Sequence, residues 1–159
     1  HRRGVQSVRR TSEEATRLGL EQLTLYCLSS ENWKRPQFEL EFLMHLLEQY
    51  MIEERSTIMD NNLRVRVIGR RDDIPKAVLR EMDKTVEMST ANTGMRLCLA
   101  INYGGRRELV DAVQGIADKV RTAQIDVGDI SEETISNVII TIINDKNQNN
   151  TAKNFLILE

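Results

Sequence analysis

The chain has 159 residues, 40% of them hydrophobic and 29% charged, with a formal net charge of −2. That size and balance predict one soluble globular domain and exclude an intrinsically disordered chain. No stretch reaches the roughly 20 uncharged apolar residues that a membrane-spanning helix needs, and an isoelectric point near 5.8 leaves no global basic field for a nucleic acid.

The opening His1-Arg2-Arg3-Gly4-Val5 is neither an initiator methionine nor the charged lead into a signal core, and reads as an internal piece of a longer chain. Val5, Val8, Ala15 and Leu18 predict an amphipathic helix ended by Gly19, with Arg9 and Arg10 on its solvated face. Leu23 to Leu28 is a short apolar run that predicts a buried strand. From Glu39 to Asp60, Leu40, Leu43, Leu46, Leu47, Tyr50 and Met51 recur at three-to-four spacing, predicting one long helix on which His45 reads as a surface or core residue. Leu63 to Gly69 alternates apolar and basic residues and predicts a second strand. Pro75 opens a further helix carrying Val78, Leu79, Met82 and Val86, which fades near Ala91 to Gly94. Met95 to Ile101 predicts a third strand, and Leu109, Val110, Ala112, Val113, Ile116, Ala117 and Val120 another helix. Cys27 and Cys98 lie in apolar runs without metal-site spacing and read as buried, reduced thiols. Asn144 to Asn150 is an amide-rich cluster that reads as loop, disorder or a foreign end to the domain.

Strands alternating with helices at this interval predict an α/β fold, with a mostly parallel sheet flanked by helices on both faces. Ligands in such sheets bind beyond the carboxyl ends of the strands, which directs attention to the loops after the first and third. The first loop, Ser29-Ser30-Glu31-Asn32-Trp33-Lys34-Arg35-Pro36, holds two hydroxyls, a carboxylate, an amide, two cations and the single Trp of the chain. It fits a ligand site and equally a capping segment in which Trp33 plugs the core. The other, Asn102-Tyr103-Gly104-Gly105-Arg106-Arg107-Glu108, fits either an anion cradle at a helix start or a ligand-free tight turn. It matches neither the dinucleotide nor the nucleoside-triphosphate glycine pattern. Of 22 basic residues 16 are Arg, whose planar fork of donors suits phosphate oxygens.

Taken together, Leu25 to Pro36, Val65 to Gly69, Asn92-Thr93-Gly94 and Asn102 to Arg106, in that order and spacing, resemble the cis-prenyltransferases, in particular the undecaprenyl diphosphate synthases. The first ten residues are similar to that family's first helix, so the resemblance spans roughly residues 1–138 and leaves 139–159 as a divergent, Asn-rich tail. It implies a prenyltransferase that condenses isopentenyl diphosphate onto an allylic diphosphate, making a long-chain cis-polyprenyl diphosphate as cell-wall lipid carrier. It also implies prenyl diphosphate substrates, a Mg²⁺ cofactor, a homodimer, and a cytoplasmic location at the periphery of the membrane that receives the product. By motif, Ser29, Ser30, Glu31, Trp33 and Arg35 match substrate-binding positions, and His1 matches a substrate-contacting histidine. Asn32 matches the catalytic position named as proton acceptor, where a neutral carboxamide, a very weak base, suits orienting a diphosphate or a relay. Asn102, Gly104, Gly105 and Arg106 match a motif read as shaping the site. The family's Asp-Gly-Asn-Gly-Arg loop, which carries the metal-binding aspartate, has no counterpart here, nor has its Arg-Thr-Gly-Gly-Glu segment with the metal-binding Glu that follows. No metal ligand is therefore assigned in this chain, and its turnover alone is expected to be poor. The alternative is a catalytically silent subunit or remnant that pairs with an active cis-prenyltransferase.

Overall fold

The computed structural model describes residues 2–139 and 155–158. His1 and the Asn-rich stretch 144–150 lie outside the described residues. In chain order the elements are α1 (Arg2–Arg17), β1 (Gln22–Ser29), a 3-10 turn (Ser30–Lys34), α2 (Gln37–Glu53), α3 (Arg55–Asp60), β2 (Arg64–Ile68), α4 (Lys76–Met88), β3 (Arg96–Tyr103), α5 (Gly105–Arg121), a short 3-10 turn (Val127–Asp129), α6 (Glu132–Val138) and β4 (Phe155–Leu158). The strands form one parallel sheet in the order β2-β3-β1-β4.

Alternation along the strands divides the interior. Leu97, Leu99 and Ile101 of β3, with Leu23 and Leu25 of β1 and Val65 of β2, face a core completed by Ala15 of α1, Met44 and Met51 of α2, Ile58 of α3, and Val78 and Met82 of α4. Cys98 and Ala100 point the other way, beside Ile68, Tyr26 and Tyr103. Flanked on both sides, β3 is buried continuously from Leu97 to Asn102, which is why its sequence is an unbroken apolar run.

Three details differ from the sequence reading. The helix expected from Glu39 to Asp60 is two helices, broken at Glu54 (φ −86°, ψ 0°). The Glu54 carboxylate is buried, and Arg9 of α1 donates to it twice, at 3.1 Å from Nε and 2.6 Å from Nη2. Cys98 is buried as expected, whereas Cys27 is exposed. Tyr26 pairs with Ala100 and Leu28 with Ile101, so Cys27 is the extra residue of a β-bulge. A fourth strand joins the three expected: Phe155–Leu158 pairs with Gln22–Leu25, a run of four apolar residues that periodicity alone does not assign to strand or helix. Among the described residues no helix is long and apolar enough to cross a membrane.

Candidate functional site

The carboxyl ends of β1, β2 and β3 lie side by side, so the loops that leave them meet. At the end of β1 the chain enters its 3-10 turn through a reciprocal cap. The Ser29 hydroxyl accepts from the Glu31 amide at 3.1 Å, and Asn32 Oδ1 accepts from the Ser29 amide at 2.8 Å. The capping role foreseen for this segment is thus real, and the turn it stabilises carries Ser30 and Trp33 toward β3. Gly104 meets Ser30 there: a Cβ on Gly104 would collide with the Ser30 Oγ, so any larger residue would make that hydroxyl rotate away.

Asn102 joins three loops. Its Oδ1 accepts from Trp33 Nε1 at 2.6 Å, its Nδ2 donates to the Asp72 carbonyl at 3.0 Å, and its own carbonyl accepts from the Arg70 amide at 3.3 Å. Asn102 is 6% exposed and left-handed at φ 51°, a conformation that asparagine tolerates better than most side chains. Nearby, Tyr26 Oη donates to the Tyr103 carbonyl at 2.8 Å, and the two rings meet edge to face at 5.6 Å. Tyr103 Oη donates to Glu108 Oε2 at 3.0 Å and so fixes the first turn of α5.

The structure brings Ser30, Trp33, Asn102 and Gly104 together, and pairs Ser29 with Asn32. Glu31 is exposed, and Arg35 is exposed with its Nη1 3.4 Å from Glu39. Gly105 and Arg106 are exposed in the first turn of α5. His1 lies outside the described residues. The loop after β2 was not among those expected to matter, yet Gly69, Arg70 and Asp72 are packed against the β3 loop. Gly69, at φ 105°, sits against the Ile101 carbonyl, and Arg70 Nε donates to Asp111 of α5 at 3.0 Å. Its signal in the sequence was the charge run Arg70-Arg71-Asp72-Asp73 directly after a strand.

Two hollows adjoin this cluster. A groove of 570 Å³ runs beside Trp33 between α2 and α4, with an apolar floor of Leu40, Met44 and Val78 and polar walls that include Glu41, His45 and Asp73. A smaller pocket of 110 Å³ lies over Gly69, Arg70, Asn102, Gly104 and Arg107. Of the β1-loop residues Trp33 lines this groove, and an apolar floor beside a loop that carries hydroxyls, an amide and cations can receive a molecule with an anionic head and an apolar tail. Among the described residues no three His, Cys, Asp or Glu side chains gather as a metal ion would need.

The family model described as "Putative undecaprenyl diphosphate synthase" matches residues 1–152. An isoprenyl transferase of Rhodopirellula baltica is 52% identical over 141 residues, covering 89% of this chain and 58% of its own length. The isoprenyl transferase of Bacillus subtilis is 40% identical over 141 residues, covering 89% and 54%. Among solved structures, lavandulyl diphosphate synthase from Lavandula x intermedia, in complex with dimethylallyl diphosphate, superposes with a TM-score of 0.84 at 29% identity, covering 89% of this chain and 61% of that one. A probable undecaprenyl diphosphate synthase from Campylobacter jejuni superposes with a TM-score of 0.73 at 28% identity, covering 86% and 63%. The chain thus spans less than two thirds of the length of these relatives. The matched residues include all three loops at the carboxyl ends of the strands, and the chain belongs to the undecaprenyl diphosphate synthase family.

Proposed function

We propose that the chain is the part of a cis-prenyltransferase that receives prenyl diphosphates, in an enzyme condensing isopentenyl diphosphate onto an allylic diphosphate to build a cell-wall lipid carrier. In that reaction the allylic carbon–oxygen bond breaks with its electron pair leaving on diphosphate. The isopentenyl double bond attacks that carbon, and a proton is lost from the new cation. The observation that carries the reading is the polar β1 loop, tied through Trp33 to Asn102, with the same Trp33 lining a groove of apolar floor between α2 and α4.

Ser29, Ser30 and Arg35 would hold diphosphate oxygens as hydroxyl and guanidinium donors, with Glu31 at the rim. Asn32 stands at the proton-acceptor position, but its Oδ1 is already engaged by the Ser29 amide. Its Nδ2 then serves as a donor that orients diphosphate, and a neutral carboxamide is in any case a very weak base. Trp33 would lie along the prenyl chain, and Gly104, Gly105 and Arg106 would shape the turn into α5. The family resemblance implies Mg²⁺, but the described residues do not fit that ion, so no step of the reaction is assigned to it here. Residues 1–138 would form the prenyltransferase part and 139–159 the divergent tail, in a cytoplasmic homodimer.

Trp33 is the single Trp, so its emission reports on the site directly. Titrating the full chain with farnesyl diphosphate should give saturable quenching that ATP does not reproduce. Quenching by ATP and none by farnesyl diphosphate would overturn the reading in favour of a nucleotide-binding α/β protein, and quenching by neither would favour a silent subunit.

A further inference from the structure

We infer that Asn102 is a positioning residue for Trp33, holding the indole so that it offers the substrate a ring face and no hydrogen-bond donor. The inference rests on the prenyl diphosphate reading above for the identity of the substrate, and on geometry alone for the positioning.

The orientation of the Asn102 amide is determined by its partners. An indole N–H can only donate and a backbone carbonyl can only accept, so Oδ1 must face Trp33 and Nδ2 must face Asp72. The amide is buried, which makes each bond costly to lose, because a stranded polar group would have no water to replace its partner. Trp33 is partly buried and packs on the main core, while its remaining surface lines the groove between α2 and α4. Its one polar atom is spent on Asn102. Trp33 therefore cannot hydrogen-bond to a diphosphate, and its contact with a ligand in the groove is made by the aromatic face, which suits an isoprenoid chain. Because Asn102 also takes the Asp72 carbonyl, the rotamer of Trp33 is referred to the end of β2 as well as to β3.

Three variants of the full chain separate this role from a general structural one. Asn102→Gly keeps the left-handed backbone and removes both side-chain bonds. Asn102→Asp keeps an acceptor oxygen for Trp33, and Trp33→Phe keeps a ring and removes the N–H. Without ligand, Asn102→Gly should raise acrylamide quenching of Trp33 emission, and Asn102→Asp, which keeps the acceptor for Trp33 but loses the donor to Asp72, should fall between Asn102→Gly and wild type. By calorimetry, Asn102→Gly and Trp33→Phe should each weaken farnesyl diphosphate binding roughly tenfold, the scale of one hydrogen bond. The double variant should be no weaker than Asn102→Gly alone, since the bond that Trp33→Phe removes is already lost there. Inorganic diphosphate should bind all variants alike, because Trp33 does not touch it. Unchanged acrylamide quenching in Asn102→Gly, additive losses in the double variant, or equal loss of inorganic diphosphate would overturn the inference. If the wild type binds no farnesyl diphosphate, the substrate reading fails, while the ligand-free quenching still decides whether Asn102 holds Trp33.

Discussion

A Cβ on Gly69 would run into the carbonyl oxygen of Ile101, and φ of 105° is a backbone conformation that L side chains rarely adopt. Both penalties act at the point where the β2 and β3 loops touch, so Gly69→Ala should lower stability by about 2 kcal/mol or more. Gly128 has open space around its Cβ direction and provides the control. Thermal melts of Gly69→Ala and Gly128→Ala, side by side, test this; equal melting temperatures would refute it. At this scale the sequence singles out residues and does not say what they touch. The Gly104-Gly105 pair and the density of polar groups in Ser29 to Pro36 point to two loops that the structure brings together. That Gly104 lies against Ser30, or that Asn102 binds an indole 69 positions away, depends on which strands are neighbours, and no local pattern carries that.

Helices show the same division between local and tertiary information. Apolar three-to-four spacing runs from Leu40 to Met51 and resumes at Ile58 after the polar run Glu53 to Thr57, and with neither Gly nor Pro in the segment no breaker residue announces the break at Glu54. The break belongs to the packed state, in which Glu54 is buried and answered by Arg9 from another helix. One residue further, Arg55 links α3 to α4, donating to Glu81 Oε2 at 2.7 Å, to the Glu81 carbonyl at 3.2 Å and to Thr85 Oγ1 at 3.1 Å. The hydrogen bond from Arg55 is the largest influence holding the Glu81 carboxyl below the usual range. A carboxyl lowered on folding contributes stability above its unfolded pKa, about 4.3, and loses that contribution as the pH falls through its folded value. Glu81→Gln should therefore lower the melting temperature at pH 7 and leave it nearly unchanged at pH 2.5 to 3 relative to wild type. An equal deficit at both pH values would show that the ion pair is not the source. The three strands expected, by contrast, lie within one or two residues of their observed bounds, because a buried parallel strand is an apolar run whatever its neighbours. The exposed Cys27 is the exception, since a bulge shifts one residue out of register without altering composition.

For the whole molecule, what the sheet order leaves uncovered matters most, and it is the property least visible in the sequence. Ala112 and Ile116 of α5 are buried, while Leu109 at 56%, Val110 at 54% and Val113 at 65% remain exposed on the same helix. On a helical projection Leu109, Ala112, Val113 and Ile116 form one continuous stripe, so α5 is apolar over a wider arc than the described residues cover. Ile135 of α6 is exposed as well, and α6 packs on α5 with Val138 beside Gly115. A second copy of the chain is the occupant that the proposed homodimer supplies. Burying this stripe would remove apolar surface from water on both protomers at once, at about 25 cal/mol per Å². Light scattering at micromolar concentration should give a dimer mass for the wild type. Leu109→Glu/Val113→Glu, which places two carboxylates on that stripe in each protomer, should give a monomer. Farnesyl diphosphate should still quench Trp33 in the variant, because α5 enters the site by its first turn and the stripe begins beyond it. A dimer mass that survives both charges would place the interface elsewhere on the molecule, and a monomeric wild type would remove the homodimer from the proposed function altogether.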